Sequence, residues 1–355
     1  MGRDRLIVAY EGACLVVAGT SLLSCNNAGT VQRPCGTGSG TVLTWTSGTP
    51  PVSQNSGVTV ELNNVTFGGN VGGNGLFVAV GEAGTIITSP DGVTWTIQIS
   101  NTPLSLYGVT YADNEFIVVG GNSLAGAGVV LSGTPDGVTW TVEDVSGTLS
   151  TNLTGVTYGS SRFVAVGNDQ VITSPDGVNW NSLTTEPSGI TSPTVNLYNT
   201  AYGNNLFVAV GTYSESTPTQ EIVYDGLIAS SPDAVNWSIL PYESNYLSGI
   251  TYGGGQFVAV GREGAILTST DGTTWAAQSV PQLNAAATPY LITLLYAENQ
   301  FVAVGNYVGI CPSTGLLVTS PDGETWAVQP VGPNVYGVAY GTVAGVGTFV
   351  AVGGE

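Results

Sequence analysis

The chain of 355 residues contains no histidine and no lysine, and its basic residues number five against 24 acids. Without histidine there is no imidazole to act as general base or metal ligand, and without lysine there is no Schiff-base nucleophile. No glycine-rich phosphate loop opens a helix. These absences predict no catalytic residue, no cofactor and no metal. Charge is scarce at 8% of residues and one-sided: from residue 41 onward 22 acids face two arginines, Arg162 and Arg262, a formal balance of −20. Nucleic acid is excluded as a partner, because phosphate binding needs clustered cations. Anionic membrane surfaces are disfavoured for the same reason. The acidity reads first as solubility for a lysine-free surface.

What the chain has is repetition. Phe-[Val/Ile]-[Ala/Val]-Val-Gly begins at Phe77, Phe116, Phe163, Phe207, Phe257, Phe301 and Phe349, spaced 39 to 50 residues apart. That is the period of a one-blade β-sheet unit. Each copy is a β-branched run stopped by glycine, which reads as a buried strand. Seven such units predict an all-β, seven-bladed β-propeller of four-stranded antiparallel blades.

Blade three parses most cleanly, with strand A at Leu153–Tyr158, B at Phe163–Gly167, C at Val171–Ser174 and D at Val178–Trp180. Asp-Gly joins C to D and predicts a two-residue hairpin whose central positions both take positive φ. Its aspartates are Asp91, Asp136, Asp176, Asp271 and Asp322, with Asp233-Ala234 in blade four, and a tryptophan follows each.

The wording Ser-Pro-Asp-Gly-Val-Thr-Trp at 89–95 resembles the Asp-box repeat of sialidases and many secreted bacterial propellers. The likeness recurs through residues 65–326, with one residue fewer between Asp and Trp than the usual pattern. It implies a turn-forming role for Asp91, Asp136, Asp176, Asp233, Asp271 and Asp322, and tryptophans packed into the blades. An Asx-turn accounts for these aspartates without catalysis or metal. The sialidase form of the fold uses an arginine triad, which Arg162 and Arg262 alone cannot build.

Six boxes against seven phenylalanine phrases is an informative mismatch. The chain ends at Phe349–Glu355, after strands A and B of blade seven, while Gly40–Gly48 matches Gly84–Gly92 in pattern. Residues 41–45 are therefore expected to supply strand C and 49–54 strand D. A blade shared by both termini closes the ring over 41–355 and removes two exposed sheet edges.

Residues 1–25 read as an export signal: Arg3 and Arg5 precede a mostly apolar run, Gly12–Leu23. Leu22-Leu-Ser-Cys25 resembles a bacterial lipobox, which implies lipidation at Cys25, a polar tether over 26–40 and a place outside the cytoplasm. The competing reading is an extra strand, since Leu6–Leu15 echoes Phe257–Ile266. Among the remaining cysteines, Cys35 and Cys311 fall on one face of adjacent blades and form the expected disulfide, the alternative being two free thiols.

Loop length separates the faces. A–B and C–D turns are short, whereas B–C loops and D–A connections vary and open together on the other face. The longest B–C loop, Gly211–Gly226, carries Tyr213, Tyr224 and Asp225; Tyr242 and Tyr246 lie in the next D–A connection, with Tyr290 and Tyr307 on the same face. These form the expected partner-binding face, the alternative being that the tyrosines pack down their own loops. The function expected is a non-enzymatic, surface-anchored scaffold that binds glycan or protein. A self-assembling subunit using the N-terminal segment and a sialidase-like glycoside hydrolase are the alternatives.

Overall fold

A computed structural model describes residues 8–10, 13–18, 21–23, 40–47, 50–71, 74–122, 127–145, 149, 151–183, 194–216, 222–242, 246–280, 288–308 and 314–354. It contains seven four-stranded antiparallel sheets, each ordered A-B-C-D from the axis outward. Blade three runs Leu153–Gly159, Arg162–Gly167, Gln170–Ser174 and Asn181–Leu183. Blade seven takes A and B from Asn334–Val343 and Val346–Gly354, then C and D from Gly40–Trp45 and Val52–Asn55. Each strand A packs on the next, and the seventh returns to the first, so the ring is closed. Val8–Tyr10, Ala13–Ala18 and Ser21–Leu23 form a three-stranded sheet that, among the described residues, pairs with no blade. The proposed apolar signal run coincides with its last two strands. Cys25, Cys35 and Cys311 lie outside the described residues.

The repeated phrase has a direct packing explanation. Successive side chains of a strand point to opposite faces, so Phe and Ala share one face and the two Val share the other. Phe163 and Ala165 pack against Ile117 and Val119 of blade two, while Val164 and Val166 pack against Phe207 and Ala209 of blade four. Seven apolar clusters result, one at each blade interface. All seven phenylalanines are fully buried, each contributing about 2–3 kcal/mol of apolar burial. At the end of strand A, beside the phenylalanine, a tyrosine of one blade lies on a glycine of the blade before. A methyl group on Gly203 would sit 2.0 Å from the Tyr252 ring, and on Gly253 2.1 Å from Tyr296.

The turns differ from the expected assignment. Positive φ at both central positions occurs in the A–B turns, as at Ser160-Ser161 (47° and 57°) and Asn204-Asn205 (47° and 57°), where the backbone twist matches that of the strands. In the C–D turns only the glycine takes this conformation, with Ala234 at φ 61° in blade four. The reason is the aspartate carboxylate. Asp176 Oδ1 accepts the N–H groups of Val178 and Asn179 at 3.2 and 2.8 Å and the Ser174 hydroxyl at 3.1 Å. These bonds keep Val178–Trp180 inside the turn, so strand D begins at Asn181 rather than Val178. The indole then closes the loop, its Nε1–H donating to the Gly177 carbonyl at 2.7 Å. The same indole bond recurs at Trp95, Trp140, Trp237, Trp275 and Trp326. Blade seven carries no Asp–Trp box in its sequence between strands C and D; Trp45 takes the register position of Ser174 and stacks on Phe349, centroids 5.3 Å apart.

Candidate functional site

The face carrying the A–B and C–D turns is tied down from blade to blade. Arg162 Nη1 donates to the Asp233 carbonyl at 3.2 Å, and Gln256 Nε2 donates to the Asp322 carbonyl at 2.7 Å. Hydrogen bonding of the carboxylates holds Asp176 and Asp322 down to about 2, with backbone N–H donors the main lowering influence, and lowers Asp91, Asp136, Asp233 and Asp271 as well. The aspartates are structural acceptors.

Blade two breaks this arrangement. Glu115 occupies the position of Arg162 and Gln256, directly before the phenylalanine, but a carboxylate has no N–H to donate. Burial, then the charges of Asp113, Glu143 and Asp176, push it from its ordinary 4.5 up to about 7. Because the folded state holds this proton more tightly than the unfolded chain, stability is lost as pH rises from about 4.5 through about 7. Glu115→Gln is therefore expected to be more stable than the parent by about 1 kcal/mol at pH 8, after allowance for solvent screening, and equal to it at pH 4. Thermal melts at the two pH values check this; a gain of equal size at both would refute the charge explanation.

The opposite face is built differently. What reads as a B–C loop at Gly211–Gly226 is a hairpin extending strands Leu206–Ser216 and Ile222–Ser231, in register from Thr212↔Gly226 to Ser216↔Ile222. Alternation continues along it, so Tyr213 is buried in the interface of blades three and four. Tyr307 is likewise buried between blades five and six. These two pack down their hairpins and are not open to a partner. Tyr242 is half-buried against the interface of blades four and five. The side chains of Tyr224 and Asp225 lie outside the described residues. Tyr246 and Tyr290 do converge, on Arg262. The guanidinium lies 5.6 Å from the Tyr246 ring centroid, its own backbone N–H donates to the Tyr246 carbonyl at 2.9 Å, and Arg262 bridges to Tyr290. Burial raises the Tyr290 phenol.

Sequence reasoning missed a ring of residues at the axis. Every strand A carries a bulge near its start, where one extra residue interrupts pairing with B: Asn63, Tyr107, Thr154, Tyr198, Ser248, Ile292 and Tyr336. The short polar members staple neighbouring blades. Asn63 Nδ2 donates to the Leu106 carbonyl at 2.8 Å, Thr154 Oγ1 to that of Leu197 at 2.6 Å, and Ser248 Oγ to that of Leu291 at 2.6 Å. Each bond covers an unpaired carbonyl on the inner edge of the next sheet. The large members fill the other places, half-buried Tyr107 and Tyr198 each between two staples and Ile292 and Tyr336 side by side in blades six and seven. Tyr198 links the ring to the long hairpin through Thr212 Oγ1 at 3.1 Å. Tyr336 is pushed up to about 12 by burial and then by Glu61, and Glu61 is itself raised by burial and by Glu82. The repeated Leu-x-Gly-Val wording, as at Leu106–Val109 and Leu153–Val156, was the available signal.

Among the described residues no group of three or more His, Cys, Asp or Glu could hold a metal, and no helix is long and apolar enough to cross a membrane. No family model and no curated protein matches the chain. A chain in the crystal structure of the mitotic checkpoint complex is similar at TM-score 0.53 and 9% identity, covering 94% of this chain and 98% of that one. The structure of YjhT gives 0.51 and 11%, covering 76% and 98%. YCF48 bound to D1 peptide gives 0.39 and 19%, covering 69% and 89%. The first two likenesses show the fold, a β-propeller, and the third adds no argument.

Proposed function

We propose that the protein is an exported, surface-anchored, non-enzymatic binding module of the Asp-box type. It engages glycan or protein through the face on which the B–C hairpins and D–A connections open. The supporting observation is the asymmetry of the two faces. One is made of two-residue and Asp–Trp turns whose polar groups are committed to holding the turns and neighbouring blades. The other carries the longest hairpin, the Arg262 cluster and the bulge ring on a rigid scaffold, where binding residues are usually placed. Export and lipidation at Cys25 rest on the composition and the lipobox wording. The test is binding to immobilised polysaccharides and purified extracellular proteins after shortening the blade-four hairpin, with a two-residue turn joining Tyr213 to Asp225. Binding is expected to be lost, and to survive Val138→Ser and Val178→Ser on the opposite face. The reverse pattern refutes the assignment of faces.

A specific observation favours the hydrolase as a second reading. The charges of Glu61 and Glu82 both act on the Tyr336 phenol, and a carboxyl raised by burial and by a second carboxylate suits acid–base work on a glycoside. Product release from oligosaccharides that disappears in Glu61→Gln would establish it; no release by the parent removes it.

A further inference from the structure

We infer that the mouth of the central axis on this face is a subsite for an uncharged, hydroxyl-rich ligand, the end of a neutral oligosaccharide. This deepens the binding reading above and rests on it. Three observations carry it.

The first is the chemistry of the bulge ring. Its large members are phenols and one alkyl chain at the innermost strands, half-buried, with Tyr107 and Tyr198 two blades apart across the Thr154 staple. An aromatic face with a polar tip suits the alternating apolar and hydroxyl surfaces of a sugar ring. The second is an unmet need for hydrogen-bond donors. The amide oxygens of Asn152 and Asn306 are buried without a protein partner, and Asn152 is only 8% exposed. Asn152 directly precedes strand A of blade three, the innermost strand, whereas Asn306 lies in strand B of blade six, one strand farther out on the same face. A buried acceptor left unmade is costly, and hydroxyl groups are the donors a polyol brings in number. The third is charge. The only described guanidinium on this face, Arg262, is stacked on Tyr246, while Glu61 and Glu82 oppose an anion from blade one. Acidic sugars are therefore disfavoured, in contrast to what an arginine triad would select.

Affinity electrophoresis of the full chain through gels containing neutral hexose polymers or polyuronates reads this directly. Retardation is expected in neutral gels and not in polyuronate gels. Tyr107→Ala should weaken retardation at least tenfold, and Tyr107→Phe should restore it to within about threefold, because stacking needs the ring and not the hydroxyl. Circular dichroism melts of both variants separate loss of the site from loss of fold. If Tyr107→Ala fails to fold, Tyr198→Ala and Tyr198→Phe carry the test, the Ala being expected to reduce retardation and the Phe to preserve it. Retardation by polyuronates alone, or neutral binding unchanged by Tyr107→Ala with an unchanged melt, overturns the inference. Binding unaffected by Tyr107→Ala but lost on shortening the blade-four hairpin overturns the mouth and leaves the face standing. No polysaccharide bound at all also overturns the mouth, while the protein arm of the earlier test still decides the face.

Discussion

Deleting residues 40–55 is expected to abolish the cooperative unfolding transition, whereas moving the same residues to the other end of the chain should preserve it. Strand C of blade seven buries Val42, Leu43 and Trp45. Val42 belongs to the interface with blade one, and Leu43 and Trp45 to the interface with blade six. Their removal unpairs the edge from Phe349 to Gly354 and opens both interfaces at once. Three large side chains at about 2–3 kcal/mol each amount to about 5–10 kcal/mol, comparable to the whole stability of an ordinary domain. The exposed apolar edge should also drive association. Gly354 pairs with Gly40, so a short linker joining them continues the B–C connection found in the other blades. The permutant starting at Ser56 and ending at Asn55 should melt close to the parent. A deletion variant that stays monomeric and melts at the parent temperature would show that the shared blade is dispensable.

Trp180→Ala is expected to cost about 3–5 kcal/mol, the range for truncating a buried aromatic. Trp180 is buried, lies 6.4 Å from Phe163 and holds the Gly177 carbonyl. The loss thus falls on the packing of the blade as well as on the turn. Trp180→Phe should recover most of the packing and lose the indole bond. Asp176→Ala should cost less than Trp180→Ala, since it removes an exposed acceptor whose donors can turn to water. Its signature is pH dependence. A carboxylate held at about 2 when folded, against 3.8 ordinarily, contributes stability above pH 3.8 that is lost as pH falls through 2. Chemical denaturation between pH 6 and 2 should therefore show a shallower acid decline for Asp176→Ala than for the parent. Parallel declines would mean that the carboxylate does not organise the turn.

The limits of sequence reading follow from the range of the forces involved. Blade number and strand order were legible because period-two alternation is written into each phrase, and closure because six Asp–Trp turns and seven phrases disagree. The turn type was not legible. Asp-Gly suits both a two-residue hairpin and an Asx-turn, and the choice depended on which N–H groups the carboxylate of Asp176 reached. The hairpin at Gly211–Gly226 looked like a loop because its Ser, Glu and Pro residues are weak strand signals, yet alternation through it places Tyr213 in the core. The buried environment of Tyr307 depends on blade five, which no local pattern reports.

The candidate site shows the division most clearly. The chain by itself determined a closed seven-bladed ring, two unlike faces and a chemistry without histidine or lysine and poor in cations. Local alternation, glycine stops and turn residues act within one blade, so they can be read along a line. Only the tertiary structure brought Asn63 to Leu106, Thr154 to Leu197 and Ser248 to Leu291, each pair 43 residues apart. The residue inserted at each bulge looks in sequence like one more step of a strand. Its place at the axis arises from the closing of the ring, which sets the inner edge of every blade against the next.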